Sequence, residues 1–122
     1  MTRYVEDAAS STHQRSLDAL SLRYQVSLLS PERAFLQRHQ FLIPLLVEAE
    51  QQIPAYFGAA ARPWLELLTD PESRGEGELF VLIGTALEPE EALSRLHNFD
   101  KGWWLDKSVE ASCLLNFDLA SL

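Results

Sequence analysis

The chain is predicted to be an α+β domain: N-terminal helices, one of them kinked at Pro44, followed by a β-β-α-β unit with a three-stranded sheet. Three observations predict it. Apolar residues recur three to four apart before residue 60, two short apolar runs then flank a turn-rich segment, and a capped helical stretch is followed by strict alternation. The 122 residues are enough for one ordinary core, so residues 15–122 are expected to form a single domain.

Residues 1–14 are polar, rich in Ser and Thr and without apolar period, which predicts a disordered or loosely docked tail. Over residues 15–29, Leu17, Leu20, Tyr24 and Leu28 share one helical face, widened by Leu22, Val26 and Leu29. The next helix opens on Ser30 as cap, Pro31 in the first turn, where a missing N–H costs nothing, and Glu32 at the positive end. Phe35, Leu36, His39, Leu42 and Ile43 then share a face. Pro44 lacks a donor and should kink or restart the helix, Pro54 should break it again, and Gly58 should end it.

"RPWLELLTD" predicts a strand over residues 64–69, and "ELFVLIGTA" a central strand buried on both faces. The turn-rich residues 70–78 between them predict an antiparallel hairpin. "LEPEEALSRLHNF" is a helix with Pro89, Glu90 and Glu91 in its first turn and Ala92, Leu93, Leu96 and Phe99 on one face. In "SCLLNFDLA", Cys113, Leu115, Phe117 and Leu119 alternate with Ser112, Asn116 and Asp118, the pattern of a half-buried final strand. That strand lies either parallel beside the second or antiparallel beside the first; pattern alone leaves both open.

The second half also resembles a group of uncharacterised small bacterial proteins. The resemblance rests on "TDPE", "ELFVLIGT", "LEPEEALSRLHNFDKGWWLD" and "LNFDL", covers roughly residues 42–120, and is most specific in the Phe-Asp…Trp-Trp-Leu string. It implies the element order and no chemistry. Lys101-Gly102 stands where the resemblance implies acidic residues, a departure from an unbroken acidic string there.

Composition narrows the function. Eighteen acidic residues against ten basic ones give a net charge of −8, the wrong sign for phosphate backbones and for anionic membranes. A basic protein partner fits that sign. The longest apolar runs are too short to span a bilayer, no charged-then-apolar leader opens the chain, and a cytoplasmic protein is expected. One cysteine permits neither an internal disulfide nor a multi-cysteine zinc site. Cys113 is expected to pack inward as an inert thiol. His13, His39 and His97 are scattered without metal-ligand spacing; His39 should sit at the edge of the core and His97 be half-exposed. No phosphate-binding or nucleophile-elbow string occurs, so no cofactor and no enzymatic activity are expected. Paired carboxylates such as Glu66 and Asp70 are the weakest of the alternatives.

The candidate interaction residues are the acidic hairpin cluster, Asp70, Glu72, Glu76 and Glu78, and the adjacent tryptophans Trp103 and Trp104. An acidic loop docks basic partners and, less often, holds a hard cation. Two readings stand for the tryptophans: both pack in the core as a plug under the sheet, or, since neighbours in an extended or turning segment point apart, Trp103 lies inward and Trp104 outward as a binding anchor. The expected function is an acidic interaction protein that binds a protein partner or itself, and that could be the neutralising member of a two-gene pair. The alternative is a small-molecule module with an apolar pocket between helices and sheet, lined by Phe41, Tyr56 and Trp64.

Overall fold

The computed structural model describes residues 18–20, 23, 24, 26, 30–69 and 77–120. The expected tail and Asp70, Glu72 and Glu76 lie outside the described residues. Of the helix expected over residues 15–29, residues 18–20 and 23 are helical and Leu20 and Tyr24 are buried. The Tyr24 hydroxyl donates to the Leu46 carbonyl at 2.7 Å, and its burial holds the phenol well above the ordinary tyrosine range. Buried Arg33 pairs with Asp18 at 2.6 Å and so ties this stretch to the helix that follows.

Helix α1 (Pro31–Arg38) starts as its residues dictate. The Ser30 hydroxyl accepts from the Arg33 N–H at 3.2 Å, Pro31 opens the first turn, and Phe35 and Leu36 point into the core. Of the kink or restart expected near Pro44, the structure shows a restart. The chain breaks at His39 (φ −124°, ψ 61°), makes one 3₁₀ turn over Gln40–Leu42, and restarts as α2 (Ile43–Phe57) with Pro44 in its first turn. A proline in that position loses no helical hydrogen bond, so Pro44 begins a helix rather than bending one. Pro54 does not break α2 either, because the helix ends only one turn later at Gly58, whose φ of 92° favours glycine. His39 sits between the rings of Phe35 and Phe41, at centroid distances of 4.5 and 6.1 Å.

Strand β1 (Arg62–Leu68) pairs antiparallel with β2 (Glu78–Gly84), and β3 (Leu115–Leu119) lies parallel on the other side of β2. The sheet order is therefore β1-β2-β3, which settles the position of the last strand in favour of the parallel arrangement. Pro63 is tolerated because β1 is an edge strand. Between β2 and β3 the chain runs through α3 (Pro89–Phe99), a π turn (Asp100–Trp104), α4 (Leu105–Lys107) and a 3₁₀ turn (Ser108–Ala111). Arg95 holds α3 to the end of α2 by donating to the Tyr56 carbonyl at 3.1 Å, an acceptor the helix terminus leaves unused.

The registers put Leu65, Val81 and Phe117 in one row, and Leu67, Leu79 and Leu115 in the next. This inner face packs on Phe35, Leu46, Ile53, Phe57 and Phe99 from the helices in one cluster. Among the described residues no helix is long and apolar enough to cross a membrane.

Candidate functional site

Trp103 and Trp104 are both buried, at 6% and 5% exposure, which matches the reading of the pair as a plug and overturns the division into one inner and one outer ring. The segment is helical rather than extended. At the π turn the Leu105 N–H reaches back to the Asp100 carbonyl, five residues away, and the extra residue brings both indoles onto the core side. Trp103 lies 5.4 Å from the Phe99 ring, and Trp104 lies edge-on to Phe117 at 4.6 Å. The Trp103 indole N–H donates to Glu48 Oε1 at 2.9 Å, and Lys107 Nζ stands 3.5 Å from the other carboxylate oxygen. The pair is thus a plug beneath the sheet, with the Trp103 N–H satisfied by Glu48 of α2.

Gly102 is what allows α2 and the π turn to close up. A Cβ there would lie 2.0 Å from the Tyr56 hydroxyl oxygen and 3.0 Å from its ring carbon. Tyr56 in turn meets Phe99 edge-on at 5.6 Å.

The remaining expectations divide. Cys113 is exposed and precedes the strand; it and Ser112 adopt left-handed backbone (φ 64° and 51°) where the 3₁₀ turn ends. The inward packing expected of Cys113 is therefore corrected, since alternation begins only at Leu115. His97 is exposed rather than half-exposed. Glu66 is exposed on β1, and no group of three or more His, Cys, Asp or Glu could hold a metal ion among the described residues.

The expected aromatic pocket between helices and sheet is not assembled. Phe41 lines a groove of about 400 Å³ with Pro44, Leu45, Glu48, Lys107 and Glu110, between the start of α2 and the 105–111 segment. Tyr56 packs against Phe99 and Gly102, and Trp64 lies over Gly84. The groove is in the size range of ligand pockets, but its polar lining is two carboxylates and one ammonium, two of which already pair with each other.

A further apolar surface lies on the sheet. The face of the sheet opposite the core carries Trp64, Leu68, Phe80 and Leu82. None of these belongs to the core cluster or packs against it. Trp64, Phe80 and Leu82 are half-buried, Leu68 is 50% exposed, and β2 alternates buried and half-buried residues along its length. The expectation that β2 is buried on both faces is thereby corrected: among the described residues, helices cover one face only. Along this outer face the register sets Trp64 beside Leu82 and Asp118, then Glu66 beside Phe80 and Asn116, then Leu68 beside Glu78. Asn116 donates its side-chain N–H to the Glu78 carboxylate. Trp64 covers Gly84, whose missing side chain leaves the indole room 3.0 Å from where a Cβ would stand.

The acids continue past the sheet. Partial burial raises the Asp100 carboxyl above its usual range; nearby His97 opposes this and Asp118 reinforces it, which places Asp100 within electrostatic reach of the β3 carboxylate. Leu105 and Val109 also stand exposed on the 105–111 segment, near exposed Phe41 across the groove. Comparison with family models, with curated proteins and with solved structures finds no match.

Proposed function

We propose that this chain is a non-enzymatic, cytoplasmic protein-binding module, and that the outer face of its sheet is the docking surface. The single observation behind the reading is that Trp64, Leu68, Phe80 and Leu82 stand together on the face that, among the described residues, no helix covers. A two-layer α+β domain normally needs only one apolar sheet face for its core; the solvent side is expected to be polar. Four large apolar side chains there, with a tryptophan among them, have the make-up of an interface hot spot. Net charge of −8 keeps such a protein soluble while disfavouring nucleic acid and anionic lipid as targets. The acidic residue Glu78 remains a candidate contact residue on this reading, whereas Trp103 and Trp104 act through the core. A role as the neutralising member of a two-gene pair fits the size and charge.

The test compares the immobilised full chain with its Phe80→Thr variant, which keeps strand propensity and removes the ring. Proteins bound from the source cell and quantified by mass spectrometry should include at least one that the variant loses by about tenfold or more. An identical bound set for both chains would sink the assignment of this face.

A further inference from the structure

We infer that the outer sheet face takes a cationic amphipathic segment of another protein, apolar side chains laid along Trp64, Phe80 and Leu82 with Lys or Arg at their flanks. The inference rests on the reading of that face as a docking surface and goes beyond it in naming the partner's chemistry. Each apolar row of the face ends in an acid or its hydrogen-bond partner. Asp118 closes the Trp64–Leu82 row, Glu66 stands beside Phe80 opposite Asn116, and Glu78 stands beside Leu68. Three carboxylates therefore frame the stripe from all three strands. The one cation on this face of the strands, Arg62, is drawn to the end of β1, where its guanidinium donates to the Ala59 and Ala61 carbonyls at 3.2 and 3.1 Å.

This pattern selects among occupants. Two copies of the chain meeting through this face would set carboxylates against carboxylates around the apolar stripe, which costs affinity and slows encounter. Anionic lipid or nucleic acid meets the same repulsion. A segment with apolar residues at helical spacing and basic flanks buries the stripe and pairs with the acids at the rim, while the centre of the contact stays free of charge.

The probes are three fluorescein-labelled peptides of about 18 residues: Leu/Lys at amphipathic helical spacing, Leu/Glu at the same spacing, and Leu/Lys scrambled to destroy the apolar face. Fluorescence anisotropy with the full-length chain should show saturable binding of the first alone. Binding should weaken by about tenfold or more for Leu82→Gln, which leaves the charge unchanged. It should weaken severalfold for the double variant Glu66→Gln/Asp118→Asn, and fall as salt rises from about 50 mM to about 500 mM. Circular dichroism of each variant confirms that the fold is kept. Equal binding of the scrambled Lys peptide, or binding unaffected by Leu82→Gln, would overturn the proposal by showing a general attraction to an acidic protein. Binding of the Leu/Glu peptide that Leu82→Gln abolishes overturns the basic-partner inference but leaves the docking face standing. So does a dimer in sedimentation that Leu82→Gln dissociates. Displacement of the Lys probe by a synthetic peptide of residues 1–17 identifies the chain's own segment as the occupant and also overturns the proposal.

Discussion

Substitution Gly102→Ala sets two known effects against each other. Gly102 lies inside the π turn with no positive φ, so helix propensity alone would make alanine more stable by up to about 1 kcal/mol. The structure opposes that gain. The new Cβ would stand 2.0 Å from the Tyr56 hydroxyl oxygen, 3.0 Å from Cζ and 3.3 Å from Cε1. Swinging Tyr56 away would break its edge-on packing on Phe99 at 5.6 Å. Overpacking of this kind costs about 1–3 kcal/mol, so the net expectation is a loss of up to about 2 kcal/mol. Urea unfolding followed by tryptophan fluorescence measures it, because Trp103 and Trp104 are buried beside the site. The control is Tyr56→Phe, which deletes the atom in worst contact. In that background the cost of Gly102→Ala should shrink by about 1 kcal/mol, a coupling a double-mutant cycle resolves. An alanine variant at least as stable as the parent in both backgrounds would refute the packing of α2 on the π turn.

Three further outcomes follow from the same geometry. Trp103→Ala and Trp104→Ala should both lower stability by about 3–5 kcal/mol in denaturant titrations, since both rings are core; a mild effect at either position contradicts the plug. Glu48→Ala should cost about 1–3 kcal/mol by leaving the Trp103 indole N–H without its acceptor, whereas Glu48→Gln keeps an acceptor oxygen and should be milder; equal losses in thermal unfolding would show that the bond does not matter. Asp100 carries a raised carboxyl pKa, caused first by burial, so its folded form holds a proton more readily than its unfolded form. The stability it contributes is full below its usual value of 3.8 and is lost as pH rises through the raised folded value. Asp100→Asn should therefore gain on the parent in melting temperature between strong acid and neutral pH, and a constant or reversed difference would count against the buried setting.

The fold was legible wherever local chemistry and tertiary packing agree. Ser30-Pro31-Glu32 and Pro89-Glu90-Glu91 open α1 and α3, and the alternation of Leu115, Phe117 and Leu119 marks β3. It was illegible where one residue more or less changes a direction. The π turn inserts such a residue, which no propensity scale marks, and it carries Trp104 inward. The left-handed pair Ser112 and Cys113 likewise delays the alternation, which begins only at Leu115 rather than at Cys113. The outer sheet face was hidden for another reason. A continuous apolar run such as "ELFVLIG" suits a strand covered on both sides and a strand with one open apolar face equally well. Only the pairing of Trp64 with Leu82, across the hairpin, gathers the exposed side chains into one surface.

The account depends on β2 having one packed face and one free face, and lysine scanning at two adjacent positions tests this most directly. Val81 is fully buried between Leu65 and Phe117, whereas Leu82 lies between Trp64 and Asp118 on the outer face. Lysine at position 82 can extend toward the Asp118 carboxylate and solvent, so Leu82→Lys should unfold in urea within about 1 kcal/mol of the parent. Val81→Lys buries a charge without a partner and should lose several kcal/mol or fail to fold. Measured unfolding free energies that separate the two variants in this way support a free apolar face. A Leu82→Lys variant as unstable as Val81→Lys would mean that the outer face is already packed, and the docking surface would not exist.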